Sequence, residues 1–336
     1  MQTSACPPCA RSLSIARQTF RAAVLLTASL CGVTQALAAD PPARWVVPST
    51  AGGGSDLATR IVAQTITPVM HRNIVVDNKP GGATILAAQD VAKARADGAT
   101  LLLTAGQGIL VLNPALYRKL PYDVGRDFAL VTSLVKLPVV LVTNPALPMN
   151  MLPEFIAWIK AGQGKATYAS VGAGSPHHLS AELMLDRVQA SAVHAPYEGT
   201  LPALQDVAGG QVDFMMADLS AAVPLTRAGR LRAIALPAEQ RSAVLPDVPT
   251  FAQAGLPGFT AFAWQGVVVP AGTPAASVDK LNAAITAALK DPAVVRHMQE
   301  LGLEPMGDTR AGFAEFVERE RVKWGALIRA HKIVLD

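Results

Sequence analysis

Short β-branched runs alternate along this chain with longer stretches whose apolar residues recur at helical spacing. The runs predict strands over 44–47, 73–76, 100–104, 139–143, 167–170, 192–194, 212–216, 231–236 and 265–269. Residues 56–67 place Leu57, Ile61, Val62 and Thr65 on one helical face. A second helix is predicted over 153–161, with Pro in its first turn, Phe155, Trp158 and Ile159 on one side, and Gly162 as its stop. Toward the C-terminus, Val278, Leu281, Ile285 and Leu289 share a face of a helix over 274–290. Asp291 caps the next helix, Pro292 starts it and Gly302 ends it. Thr309 then caps a long final helix carrying Phe313, Phe316, Val317, Trp324 and Ile328. Strands alternating with helices in this way predict parallel α/β architecture. No stretch is rich enough in linker residues to separate independent domains. Two lobes, if present, therefore exchange the chain more than once, and the crossings are expected near 140–143 and 262–266.

Two segments repeat one local plan. "VVPSTAGGGSDLATRIVAQ" (46–64) and "ATYASVGAGSPHHLSAELML" (166–185) each read as a buried strand, a Gly/Ser loop and a helix with a polar start. Such a corner aims backbone N–H groups and a helix N-terminus at whatever lies in front of it, and so favours an anion. In the first, Ser55 or Asp56 is the expected cap. The first loop is not a P-loop, because no Lys-Ser or Lys-Thr follows its glycines, and it is not G-x-G-x-x-G. A tight turn with no ligand remains the other reading of that loop. In the second, Gly172 and Gly174 loosen the chain and Ser175 caps a helix starting at Pro176. Ser175 beside His177 and His178 raises a secreted serine hydrolase as an alternative. Against it, the G-x-S-x-G elbow is absent and no orienting acid can be placed. Adjacent histidines suit no usual metal spacing, so no metal site is read. For His178, packing and capping stand beside ligand contact. Three strand ends add candidates, each with a plain structural alternative: Gln107 in "LTAGQG", Tyr197 in "HAPYEGT" and Asp218 in "FMMADLSAA". Trp264, near a proposed crossing, reads as packing.

The N-terminal 38 residues change how charge and cysteine are read. Arg11, Arg17 and Arg21 precede an apolar run over 22–33, and Ala36 and Ala38 form an A-x-A cleavage site. This is the pattern of a cleavable secretory signal peptide, and the run is short for a bilayer span of ~20 residues. Without it, 26 basic residues face 25 acidic ones, so the formal +4 falls to +1. No nucleic-acid or membrane-surface argument follows from so small an excess. Cys6, Cys9 and Cys31 leave with the leader, so the exported chain is expected to fold without disulfides.

Taken in order, several blocks resemble the Bug, or TctC-like, extracytoplasmic solute receptors of tripartite tricarboxylate transport systems. They are "VVPSTAGGGSDLATR", "VVDNKPGGATILAAQDVAKARADGATLLL", "NPALYRKLPYDVGRDFALVTSL", "YASVGAGSPHHLSAELML", "HAPYEGTLPALQDVAGGQVDFMMADL", "GRLRAIAL", "RSAVLPDVPTFAQAGLPGF" and "PAGTPAASVDKLNAAITAALKDPAV". The resemblance implies an α/β, two-lobed periplasmic binding protein of type II-like, Venus-flytrap form, each lobe a mixed sheet flanked by helices. Lobe 1 is expected over 39–141 plus 264–336 and lobe 2 over 142–263. A small carboxylate would lie between them, held largely by backbone groups, small hydroxyls and water at the corners 49–56 and 172–178. The expected ligand-binding set is Thr50, Gly53, Gly54, Ser55, Asp56, Gln107, Gly172, Gly174, Ser175, His178, Tyr197 and Asp218. Within it, the N–H groups of Gly53, Gly54, Ser55, Gly174 and Ser175 serve as anchors. The resemblance implies no catalysis, no cofactor, a periplasmic monomer, and a membrane permease or a sensor-kinase ectodomain as partner. Ser49, Thr50 and Ala51 stand where the family often has aromatic and Pro residues. Leu219 replaces a usual Asn, and Pro176 a small polar residue. These departures bear on the far half of the ligand, which sets specificity.

Overall fold

The computed structural model describes Gln2 and residues 42–94, 101–330 and 335. The leader and its cleavage site lie outside the described residues. In chain order the elements are β1 (Ala43–Val47), α1 (Gly54–Met70), β2 (Ile74–Asn78), a 3₁₀ turn (Gly82–Thr84), α2 (Ile85–Ala92), β3 (Leu101–Gly106), a π-type turn (Gly108–Leu112), α3 (Asn113–Leu116), α4 (Val124–Asp127) and β4 (Phe128–Thr143). There follow α5 (Leu152–Ala161), β5 (Thr167–Ser170), α6 (Pro176–Arg187), β6 (Val193–Pro196), α7 (Thr200–Gly209), β7 (Phe214–Asp218), α8 (Leu219–Arg227) and β8 (Arg232–Ala235). The chain closes with β9 (Phe262–Pro270), α9 (Ala275–Lys290), α10 (Pro292–Glu300), β10 (Glu304–Pro305) and α11 (Arg310–Ala330).

Strand order is β2-β1-β3-β9-β4-β7-β5-β6, with β8 and β10 also paired to β4. β1 pairs in parallel with β2 and β3, and β5 in parallel with β6 and β7; β4 and β9 run antiparallel to their neighbours. β4 belongs to both lobes. Phe128 to Pro138 pair with β9, and from Val139 to Thr143 the partners become β7 and β8.

Each lobe's sheet is covered on both faces, which is why its strands read as near-continuous apolar runs. In lobe 1, Trp45, Leu102 and Ile66 pack with Ile285 on one side, and Leu103, Leu110 and Trp264 with Phe313 on the other. In lobe 2, Phe155, Tyr168 and Phe214 form one face, and Leu204, Met215 and Leu219 the other. Trp264 is a packing residue, as read, and its indole donates to Glu320 Oε2 at 3.0 Å.

Two local expectations are corrected. The N-terminal half of β4 is strand, although Thr132, Ser133, Lys136 and Pro138 interrupt its apolar run. Its polar groups are satisfied from outside the sheet: Thr132 Oγ1 donates to the Asp308 carbonyl and Ser133 Oγ to Asp308 Oδ2, both at 2.7 Å. Neither Ser55 nor Asp56 is the N-cap of α1. That position is Gly53, and no side chain caps the helix. The other caps hold: Ser175 accepts from His178 N, Asp291 from Ala293 N and Val294 N, and Thr309 from Gly312 N.

Candidate functional site

The carboxyl ends of the parallel strands of both lobes converge on one cavity of about 360 Å³, where open α/β sheets characteristically bind ligands. From lobe 1 it is lined by Pro48 and Ser49 after β1, the turn Gly81–Thr84 after β2, Gly106 and Gly108 around the end of β3, and Ser55 in the first turn of α1. Lobe 2 contributes Val171 to His177 except Gly174, Pro196 to Thr200, and Asp218. Leu137, Ala263 and Gln265 of the crossing strands also border it.

The first corner is built around a buried carboxylate. Asp56 accepts from Gly52 N at 2.9 Å, from Arg60 Nε at 2.9 and 3.0 Å, and from Asn78 Nδ2 at 2.9 Å. Burial alone would raise its pKa, but the bonds from Arg60, Gly52 and Asn78 hold it below the usual carboxylate range. Asn78 Nδ2 also reaches the Ser49 carbonyl at 3.0 Å, tying the strand end to the helix. Asp56 thus shapes the loop from behind. The uncapped start of α1 is left with first-turn N–H groups that have no helical partner, and Ser55 in that turn lines the cavity.

The second corner is more committed to itself. Ser175 Oγ accepts from His178 N at 3.2 Å, and Pro176 brings no N–H. Gly174 N donates to His178 Nδ1 at 2.9 Å, and Ser175 N to the Gly172 carbonyl at 3.2 Å. The His178 ring stacks on His194 with centroids 4.1 Å apart, and Tyr168 stacks against both rings. Burial pushes His178 down to about 4, so the ring is neutral and its Nδ1 is an acceptor.

Beneath this corner His177 Nε2 lies 2.8 Å from Asp218 Oδ1, and Thr200 Oγ1 donates to Asp218 Oδ2 at 2.9 Å. Burial would raise the Asp218 pKa, yet the charge and hydrogen bond of His177 and the Thr200 hydroxyl bring it below its ordinary value. His177 Nδ1 has no hydrogen-bond partner although the residue is only 5% exposed. That sets aside the serine-hydrolase arrangement. The orienting acid exists as Asp218, but the free nitrogen of His177 makes no bond to Ser175 Oγ, and that of His178 is held by Gly174.

Of the twelve residues expected to hold ligand, Ser55, Gly172, Ser175, Tyr197 and Asp218 line the cavity. Thr50, Gly53, Gly54, Asp56, Gln107, Gly174 and His178 are not among its lining residues. Gln107 is buried at 1% exposure while its neighbours Gly106 and Gly108 border the space. The backbone donors expected at Gly53, Gly174 and Ser175 are spent within their own turns; Gly53 N turns back to the Thr50 carbonyl at 3.4 Å. Tyr197 presents its ring, but its hydroxyl donates to Asp206 at 2.6 Å.

Sequence reasoning weighed His177 only as a hydrolase or metal partner, and missed Thr200, Glu198, Gln265 and the turn 81–84. In that turn Ala83 and Thr84 adopt φ of 49° and 72°, the left-handed region that costs a β-carbon about 1 kcal/mol or more. The "KPGG" punctuation marked a turn there without marking a site. Gln265 Nε2 donates to Ser55 Oγ at 2.9 Å, a contact between residues 210 apart that no local pattern carries.

Two α/β lobes joined by crossing strands, with one cavity between facing strand ends, define a bilobal solute receptor of the periplasmic-binding-protein fold. The chain belongs to the tripartite tricarboxylate transporter family receptors (TctC), whose family model matches residues 58–333. It is 34% identical to BugT of Bordetella pertussis over 86% of this chain and 88% of that one. Among solved structures it is similar to the periplasmic binding protein BugD, with 28% identity and a TM-score of 0.82, covering 88% of this chain and 99% of that one. It is also similar to Rpa4515 of R. palustris, solved with adipate, at 30% identity and TM-score 0.83 over 86% of this chain and 97% of that one. MatC of Rhodopseudomonas palustris, with bound malate, gives 33% identity and TM-score 0.80 over 86% and 99%.

Proposed function

We propose that this receptor is exported by the leader 1–38, works in the periplasm as a non-enzymatic monomer, and closes its lobes on a small organic carboxylate. It then delivers the ligand to a tripartite tricarboxylate transport permease or to a sensor-kinase ectodomain. The lobes are residues 39–141 with 264–336, and residues 142–263; the change of β4 partners after Pro138 supports a division at the crossing strands.

The observation that carries the reading is the uncapped start of the 17-residue helix α1 at a cavity with no Lys or Arg among its described lining residues. A helix N-terminus supplies roughly half a positive charge. The Ser55 hydroxyl adds a donor there, and closure lowers the local dielectric around both. A carboxylate is thereby stabilised without a buried cation. Relatives solved with adipate and malate support the same ligand class.

Thermal unfolding of the exported chain, stripped of carried-over ligand by unfolding and refolding, tests this against carboxylates and their neutral amides. A ligand at a hundred times its Kd adds ~2.7 kcal/mol of stability. Stabilisation by an acid and not by its amide is expected. Equal response to both, or to amides alone, would overturn the reading.

A further inference from the structure

Where the chain passes between the lobes, β4 and the start of β9 form a two-stranded ribbon, with Leu137 opposite Ala263 and Pro138 opposite Phe262. Side chains directly opposite one another in an antiparallel pair share a face, and successive residues alternate between faces. Leu137 and Ala263 accordingly border the ligand cavity. Pro138 and Phe262 border a second cavity, of about 620 Å³, on the reverse side of the ribbon. Both lobes line this rear space. Gln299, Gly302 and Glu304 come from lobe 1, and the loop from Leu236 to Ala243 comes from lobe 2.

The lobes also touch between the two spaces. Asp218 lines the front cavity, and the next residue, Leu219, lies against Gly302, which lines the rear one. Gly302 has a φ of +73°, and a β-carbon there would lie 3.2 Å from Leu219 Cγ and 3.2 Å from Val244 Cγ2. In front, a β-carbon at Gly199 would lie 2.3 Å from Thr50 Oγ1, so lobe 2 already bears on lobe 1 at the mouth. With the ribbon and the Gly302 contact as fulcrum, a rotation that parts the lobes in front brings them together behind.

We propose that the rear cavity is the counter-space of lobe closure: it must shrink for the receptor to open, so bulk placed in it holds the receptor shut and tightens binding in front. The inference rests on the lobe closure proposed above and not on the chemistry of the ligand. The sign of the coupling is fixed by the geometry. A group that fills the rear space is compatible with the closed form only, and a larger closed fraction raises the apparent affinity of any ligand that the closed form holds.

Gln299→Trp and Ala243→Trp test it by enlarging exposed residues on the two walls, which leaves the core untouched, and the double variant fills the space from both sides. Small-angle X-ray scattering on the refolded exported chain reads the lobes directly, without carboxylate. Titration calorimetry with butyrate, succinate and glutarate reads binding. The double variant is expected to be more compact than wild type before any carboxylate is added, and to bind whichever of the three wild type binds about threefold or more tightly. Val322→Trp, an enlargement of an exposed residue on α11 outside both cavities, should do neither. Unchanged scattering with unchanged or weaker binding in the double variant would overturn the inference and leave the carboxylate receptor standing. Compaction of the double variant, with no carboxylate bound by either protein, would leave the inference standing and count against the carboxylate reading.

Discussion

The side chain of Gln265, on β9, fixes the hydroxyl of Ser55 at the start of α1. The bond runs from Nε2 to Oγ at 2.9 Å. Because Ser55 Oγ is an acceptor in that bond, its own proton is left to donate into the cavity. Ser55→Ala is therefore expected to weaken carboxylate binding by about 1.4 kcal/mol, a tenfold rise in Kd, read by titration calorimetry. Gln265→Leu, which frees the hydroxyl to rotate, should cost less. Equal affinity of Ser55→Ala and wild type would remove Ser55 from the site.

Gly174 couples the second loop to lobe 1. Its φ is +73°, and a β-carbon there would lie 2.5 Å from Leu116 Cδ1 and 2.9 Å from Leu335 Cδ1. Gly174→Ala should oppose lobe closure and weaken every ligand by about 1–3 kcal/mol, from backbone strain and overlap together. Adding Leu116→Ala should recover part of the affinity, because it removes the nearer atom. A double variant no better than the single would assign the whole loss to backbone strain.

Acid should loosen the second corner. Burial pushes both His178 and His194 down to about 4, and the charge of His178 lowers His194 further, against an ordinary value of 6.5. Between pH 6.5 and 4 the unfolded chain takes up protons that the folded chain refuses. Stability therefore falls as pH drops through that window and levels off below it. His178 contributes on the order of 2 kcal/mol and the half-exposed His194 less. Urea unfolding at pH 7 and pH 4.5 measures the difference, which should shrink in His194→Phe, where the stacked ring is kept and one titrating group is gone.

On β9 the absence of a side chain at Gly266 makes room for an aromatic ring. A β-carbon there would sit 2.1 Å from Phe313 Cζ. Gly266→Ala is expected to cost about 2 kcal/mol and to lower Tm by several degrees, as overpacking of a rigid core does. Phe313→Leu in the same chain should restore part of the loss. An unchanged Tm would mean that the ring moves aside freely.

The local plan of this protein was legible in its residues. Helical spacing of Val278, Leu281, Ile285 and Leu289 marked α9, Ser175 marked the start of α6, and the two Gly/Ser loops marked both corners of the cavity. Those features depend on neighbours within a few positions, where backbone preference and side-chain period act directly. What the tertiary structure alone decided depends on residues brought together from afar. Polar positions along the first half of β4 hid a strand until Asp308, about 175 residues away, satisfied them. Asp56 looked like a ligand contact, and the folded chain turned it inward to Arg60 and Asn78. His177 had no acid to orient it in the sequence until Asp218, on another strand end, fixed its ring and left Nδ1 without a partner. Sequence sets which groups can hydrogen-bond and where chains turn. Only packing decides which of those groups are spent on each other and which are left facing the cavity.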